Sequence, residues 1–245
     1  MTTADPRPEG TDAGPTNAEA QAVVQRYARR QVGDLYSPLR PEVMATLHER
    51  QRALRRHLNR AGIADLAGLK LLEVGCGSGG NLLEWLRLGV RAEDLTGLEL
   101  LPDRLAQARE VLPPASTLWL GDATQAPVPP ASQDLVMQST VFSSLLDDAF
   151  QARLAACMWH WLKPGGAIVW YDFTVNNPRN RDVRGVPLRR VRALFPAGQF
   201  HAERVTLAPP VARVLCGLHP AMYGLFSALP LLRTHVLVWV SKPAV

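Results

Sequence analysis

A chain of 245 residues with 47% hydrophobic content is long enough for one α/β domain with an extra element, and too apolar to be disordered. Its three cysteines, Cys76, Cys157 and Cys216, are far apart and odd in number, which excludes a disulfide framework and offers no zinc-ligand spacing. The formal charge of +5 comes almost wholly from arginine, since Lys70, Lys163 and Lys242 are the only lysines, and the opening residues carry no apolar signal core, so the expected compartment is the cytoplasm.

Residues 1–18 have the Pro, Gly, Thr and Asp content of a disordered tail, which leaves 19–245 for the folded domain. Helices are predicted from Ala20 to Arg30 and from Pro41 to Asn59, the second with Val43, Leu47, Leu54 and Leu58 on one apolar stripe. They belong to a helical cap over 19–66, expected to lie over the ligand-binding end of a sheet. Strands at 70–74, 95–99, 117–120, 134–138 and 166–172 are then interleaved with helices at 80–88, 102–110 and 148–161. Such alternation predicts a Rossmann-like, doubly wound, mostly parallel sheet covered on both faces.

Beyond it a helix is predicted at 187–195 and strands at 201–207 and 235–241, the final strand antiparallel. Between those strands lies an apolar stretch, 209–232, broken by Arg213, Gly217, His219, Pro220 and Gly224 and so too interrupted to span a membrane. It reads as a pair of short lid or core helices, or as an element of peripheral membrane contact beside the basic cluster of Arg179, Arg181, Arg184, Arg189, Arg190 and Arg192.

The chemistry-bearing stretch is Leu71-Leu-Glu-Val-Gly-Cys-Gly-Ser-Gly-Gly, an apolar strand that ends in an acid and glycines where a helical pattern begins. Glycines there let backbone N–H groups approach a ligand, and the helix presents its N-terminus to it. A phosphate-binding loop would end in Gly-Lys-Ser/Thr, which is absent. The dinucleotide fingerprint is met only loosely, through Gly75, Gly77 and Gly80. Glu73, just before the first glycine, would repel a pyrophosphate and favour a cationic amino-acid ligand. Glu99 closes the next strand about twenty residues on, the place of a ribose-binding carboxylate.

Glu73-Val-Gly-Cys-Gly-Ser-Gly resembles motif I of the class I S-adenosylmethionine-dependent methyltransferases. Three downstream stretches keep that register: Leu118-Trp-Leu-Gly-Asp122-Ala123, Asp134-Leu-Val-Met-Gln138-Ser139, and Leu162-Lys-Pro-Gly-Gly-Ala. The resemblance is dense over residues 70–175 and implies a seven-stranded sheet and S-adenosyl-L-methionine as cofactor. It places Glu73, Gly75, Cys76, Gly77 and Gly79 on the methionine side, Glu99 and Leu100 at the ribose, and Asp122 and Ala123 at the adenine, with Gln138 at the exit of the fourth strand.

Methyl transfer is an in-line displacement, so the protein must chiefly position the acceptor, at the carboxyl ends of the fourth and fifth strands. Gln138 stands where methyltransferases acting on bases or glutamine carry Asn-Pro-Pro-Tyr, which argues against a nucleic-acid partner. Asp172 and His219 are the candidate catalytic residues, though Asp172 equally suits a turn cap. Phe142, Asn176, Asn177 and Arg179 are the candidate acceptor contacts, and no metal site is expected. Trp170-Tyr-Asp-Phe-Thr-Val-Asn-Asn-Pro-Arg-Asn resembles a bacterial methyltransferase group of glycan and natural-product gene sets, implying O-methylation of a small-molecule, glycan or lipid-linked acceptor. An RNA methyltransferase and a non-catalytic cofactor-binding partner subunit are the rival readings. The oligomeric state is not legible.

Overall fold

The computed structural model describes residues 18–29, 33, 35–178 and 180–244. Most of the tail expected over 1–18 lies outside these residues; Ala18 already opens helix α1 (Ala18–Ala28). Helix α2 (Pro41–Arg60) starts on a proline that has no amide to leave unsatisfied. The alternating middle follows as β1 (Leu71–Val74), α3 (Gly80–Leu88), β2 (Leu95–Glu99), α4 (Pro102–Val111), β3 (Thr117–Leu120) and β4 (Gln133–Ser139). Next come α5 (Asp148–Trp161), β5 (Leu162–Phe173), α6 (Leu188–Leu194) and β6 (Gln199–Leu207). Helices α7 (Pro209–Leu218) and α8 (Met222–Ser227) precede the last strand, β7 (Arg233–Ser241).

The seven strands form one sheet in the order β3-β2-β1-β4-β5-β7-β6. The strands from β3 to β5 are parallel, and β7 runs antiparallel between β5 and β6. The predicted antiparallel last strand is therefore present but interior, and β6 takes the edge. Strand β5 starts earlier than expected: Leu162 pairs with Gln133 ahead of an irregularity, and Pro164, Gly165 and Gly166 lie within it.

Alternate side chains of the strands serve two cores, as the two-residue period requires. Leu72, Val74, Leu98, Val136, Ile168 and Trp170 pack against α5, α6 and Val23 of α1. Leu71, Leu95, Leu135, Met137, Val169 and Tyr171 pack against α2, α3 and α4. Burial on both faces explains why the strands read as continuous apolar runs. The two N-terminal helices therefore do not form one cap. Helix α1 reaches the carboxyl end of the sheet, whereas Ala53, Leu54 and Leu58 of α2 cover a sheet face, because α2 has apolar residues enough for a full layer.

Strand order reverses between β1 and β4, which opens a crevice at their carboxyl ends. Gly75 follows β1, Glu99 ends β2 and Thr140 follows β4, so the topology brings these three segments together.

Candidate functional site

The loop after β1 is shaped by glycines with positive φ at 75, 77 and 79. At Gly75 the requirement is also steric: a Cβ there would lie 2.5 Å from Val141 Cγ2, so only glycine lets the β1 and β4 loops meet. The Cys76 amide donates to the Leu98 carbonyl at 3.0 Å, tying the loop to β2. Cys76 itself is buried, and burial pushes its thiol well above the usual thiol range, which makes it a packing residue.

Glu99 is held by three backbone amides. Gly77 N donates to Oε2 at 2.8 Å, and Leu100 N and Leu101 N donate to Oε1 at 2.8 and 2.9 Å. A carboxylate has about four lone-pair sites, so Oε2 can still accept a ligand hydroxyl. Asp122 is arranged differently. Thr124 N and Thr124 Oγ1 donate to its Oδ1 at 2.9 and 2.8 Å, while Oδ2 is buried with no partner. A buried acceptor left unmet costs about 1–3 kcal/mol, so this oxygen suits a donor brought by a ligand or by water.

Gly75, Glu99, Leu100, Asp122 and Ala123 line one open cleft of about 720 Å³. Val74, Leu98, Phe150 and Leu154 supply its apolar walls, and Ser139, Thr140 and Ser144 supply hydroxyls at the β4 end. Val23 and Tyr27 of α1 close one side, with the Arg104 guanidinium stacked 4.7 Å from the Tyr27 ring centroid. Helix α1 is bolted there by a buried ion pair: Arg26 Nη2 bonds Glu19 Oε1 at 2.6 Å and the Ser144 carbonyl at 2.9 Å, and Leu146 N donates to Glu19 Oε1.

Glu73 lies beneath the loop and not on the cleft wall. It is fully buried, and Asn81 Nδ2 donates to Oε1 at 2.6 Å while Oε2 has no partner. Burial pushes its carboxyl up to about 8, against the lowering effect of the Asn81 bond and the nearby Arg50 cation. Arg50 in turn bonds Asn81 Oδ1 at 2.6 Å and reaches Ser139 Oγ at 3.5 Å, linking α2 to the end of β4.

Other sequence-predicted positions hold the turn after β4. Gln138 is fully buried, with Nε2 donating to the Tyr171 carbonyl at 3.2 Å and Oε1 accepting from Val141 N at 3.0 Å. Thr140 sits at φ 57°, a costly conformation for a β-branched residue, and its amide is held by the Tyr171 carbonyl. Asp172 is fully buried behind this turn, accepting from Ser143 N at 3.0 Å and Phe173 N at 2.9 Å. Burial pushes it up to about 7 in spite of those bonds. Phe142 is a core side chain, 4.5 Å from Trp170 by ring centroids.

The other described candidates do not line the cleft. His219 is exposed at the end of α7, where Nδ1 accepts from Ala221 N. Asn176 Oδ1 accepts from Gly185 N at 2.9 Å, and the Asn177 carbonyl accepts from Asn180 N. Arg179 lies outside the described residues. Sequence reasoning missed the wall supplied by Val23, Tyr27 and Arg104. The spacing of Val23 and Tyr27, one helical turn apart, was the signal available for it.

Residues 71–166 match a family model described as a methyltransferase domain. No curated protein matches the chain. Among solved structures, geranyl diphosphate C-methyltransferase from Streptomyces coelicolor is 15% identical, with a TM-score of 0.63 over 95% of this chain and 100% of that one. An S-adenosylmethionine-dependent methyltransferase from Mesorhizobium loti is 19% identical, with a TM-score of 0.57 over 78% of this chain and 96% of that one. Phosphoethanolamine N-methyltransferase 2 from Haemonchus contortus is 18% identical, with a TM-score of 0.56 over 78% of this chain and 52% of that one. These likenesses carry the fold, a Rossmann-like sheet shared with methyltransferases, and the methyltransferase-domain match over residues 71–166 falls on the strands and loops that build the cleft.

Proposed function

We propose that this chain is an S-adenosylmethionine-dependent methyltransferase that transfers the methyl group to a hydroxyl oxygen of a small-molecule, glycan or lipid-linked acceptor. The observation that carries the reading is the division of the cleft: two carboxylates, Glu99 and Asp122, stand at one end, and the neutral hydroxyls of Ser139, Thr140 and Ser144 stand at the other. Bound there, S-adenosylmethionine supplies an electrophilic methyl on a sulfonium centre. Glu99 Oε2 accepts from the ribose hydroxyls, and the orphaned Asp122 Oδ2 accepts from the adenine amino group. Leu100 and Ala123 flank these groups, Gly75 lets the backbone approach the methionine portion, and Glu73, its carboxyl kept protonated near neutral pH by burial, braces the loop from beneath through Asn81.

At the acceptor end, Thr140 and Ser144 give their hydroxyl protons to the Ser139 and Thr140 carbonyls, at 2.7 and 3.4 Å, which leaves their oxygens as neutral acceptors for an alcohol hydroxyl, and the Arg50 guanidinium beside Ser139 disfavours a cationic amine. Their work is positioning, which suffices for much of a displacement on an activated methyl. Asp172 and His219 enter this reading as structural groups, since neither lines the cleft, and Asn176 is occupied by Gly185. Contact with a membrane surface is part of the reading, because it would present lipid-linked acceptors to the cleft.

The test is calorimetric titration of the purified protein with S-adenosylhomocysteine and separately with NAD, followed by an acceptor screen for transfer of labelled methyl. Binding of S-adenosylhomocysteine alone and labelling of hydroxyl acceptors is the expected result. Labelling confined to RNA would replace the acceptor class, and cofactor binding without any transfer across the screen would favour the partner-subunit reading.

A further inference from the structure

Strand β6 runs parallel to β5, since both are antiparallel to β7. Its last residue, Leu207, and the first residue of β7, Arg233, therefore lie at the carboxyl edge of the sheet, the edge that carries the cleft. The segment between them is α7, α8 and a short 3-10 turn at Pro230–Leu232. Its inner side is anchored: Ala212, Cys216 and Tyr223 pack with Leu207 and with Ala45 of α2. The Tyr223 hydroxyl also donates to Glu49 Oε2 at 2.7 Å.

The outer side has no protein cover. Val214, Leu218, Leu225, Leu229 and Leu231 are between 54% and 90% exposed. They make up five of the ten exposed large apolar residues among the described residues, gathered in eighteen positions of sequence, 214–231. Leu39 and Met44, also exposed, sit at the start of α2 beside α7. Single exposed leucines are ordinary on a protein surface, but a cluster of this kind marks a contact surface.

Charge identifies the occupant. No Asp or Glu follows Glu203 to the end of the chain, and Arg213 is the only charged residue between 205 and 232. The nearby carboxylates point inward: Glu42 is buried and bonded to Arg40, and Glu49 is buried and bonded to Tyr223 and Thr206 N. A second copy seated on this face would bring one Arg213-bearing apolar surface against another, and the carboxylate in electrostatic reach of Arg213, the buried Glu42, is already bonded by Arg40 and has no exposed charge to offer a partner. A bilayer with anionic headgroups supplies both the apolar depth and the opposite charge, with arginine extending to the headgroups. We propose that the outer face of α7, α8 and the following turn docks on an anionic lipid surface. No helix among the described residues is long and apolar enough to cross a membrane, so the contact is interfacial. Docking turns the cleft-bearing edge towards the bilayer, which deepens the lipid-linked acceptor reading and rests on it only for that consequence.

The experiment is flotation of the full chain with phosphatidylglycerol–phosphatidylcholine vesicles and with phosphatidylcholine vesicles, with S-adenosylhomocysteine titrations on the same samples. The full chain is expected to float with the anionic vesicles and to be released by salt. Leu225→Glu and Leu231→Glu should each lower the lipid partition coefficient about tenfold, from lost apolar burial. Arg213→Gln should lower it about fivefold. All three variants should keep the cofactor affinity of the parent. A parent that stays unbound, or Glu variants that float equally well, would overturn the proposal. So would a dimer in sedimentation velocity that Leu231→Glu disperses without any vesicle binding. Flotation with no cofactor binding would leave the docking surface standing and remove the methyl-transfer reading instead.

Discussion

Asp122 and Asp172 are both buried aspartates near strand ends, and their hydrogen bonds give them different work. Asp122 keeps one oxygen unmet on the cleft, whereas both oxygens of Asp172 are used by backbone amides. Glu99→Ala should weaken S-adenosylhomocysteine binding by about 1–3 kcal/mol, the cost of charge-assisted bonds left unmade, and an unchanged affinity by calorimetry would remove its ribose role. For Asp172→Asn the expectation is on folding. Ser143 N and Phe173 N donate to different oxygens of Asp172, and Asn would turn an NH2 group towards one of them, so Tm should fall with a stability loss of about 1–3 kcal/mol while cofactor affinity holds. Lost turnover at unchanged Tm would restore a catalytic part for Asp172. The types of these residues were legible in the sequence; the direction they face was not. Gln138 and Asp172 lie on strands buried on both sides, so no polar alternation showed which face each would occupy.

At the scale of elements, the meeting of the β1 loop with the β4 turn decides whether the cleft exists. Gly75→Ala places a methyl against Val141 and also strains φ 65°, so cofactor binding should be lost. Val141→Ala in the same chain should recover part of it, the steric part, in a calorimetric comparison of the single and double variants; no recovery would mean that backbone strain alone is responsible. Element order was readable because apolar periodicity and glycine positions punctuate the middle of the chain strongly. The partner of each helix was less readable. The stripe of α2 shows that one side is buried, but nothing local shows that it covers β6 and β7 and not the cleft.

For the molecule as a whole, buried titratable groups set how stability varies with pH. The carboxyls of Glu73 and Asp172 are raised to about 8 and about 7 from ordinary values of 4.5 and 3.8. The folded state therefore holds protons that the unfolded chain has released, and stability falls as pH rises through this range. His235, lowered to about 4 from 6.5 by burial and by Arg50, acts in the opposite sense below 6.5. A net decline should thus remain between pH 6.5 and about 8, and Glu73→Gln should flatten it in thermal melts across that window. An equal slope in the variant would show that Glu73 is ionised throughout. Charge composition gave no hint of this, because the effect depends on burial and not on the count of acids.

Helix α1 has a kinetic consequence as well as a structural one. Val23 and Tyr27 wall one side of the cleft, and the Glu19–Arg26–Ser144 bonds hold the helix down, so opening those bonds would widen the way out for an occupant. Under the proposed reaction, departure of the spent cofactor then paces turnover. Rapid-quench measurement should show a burst of one methylated product per protein followed by a slower steady rate. Arg26→Met should raise that steady rate while loosening the grip on the cofactor; a linear time course from the first turnover would mean that the helix does not act as the latch.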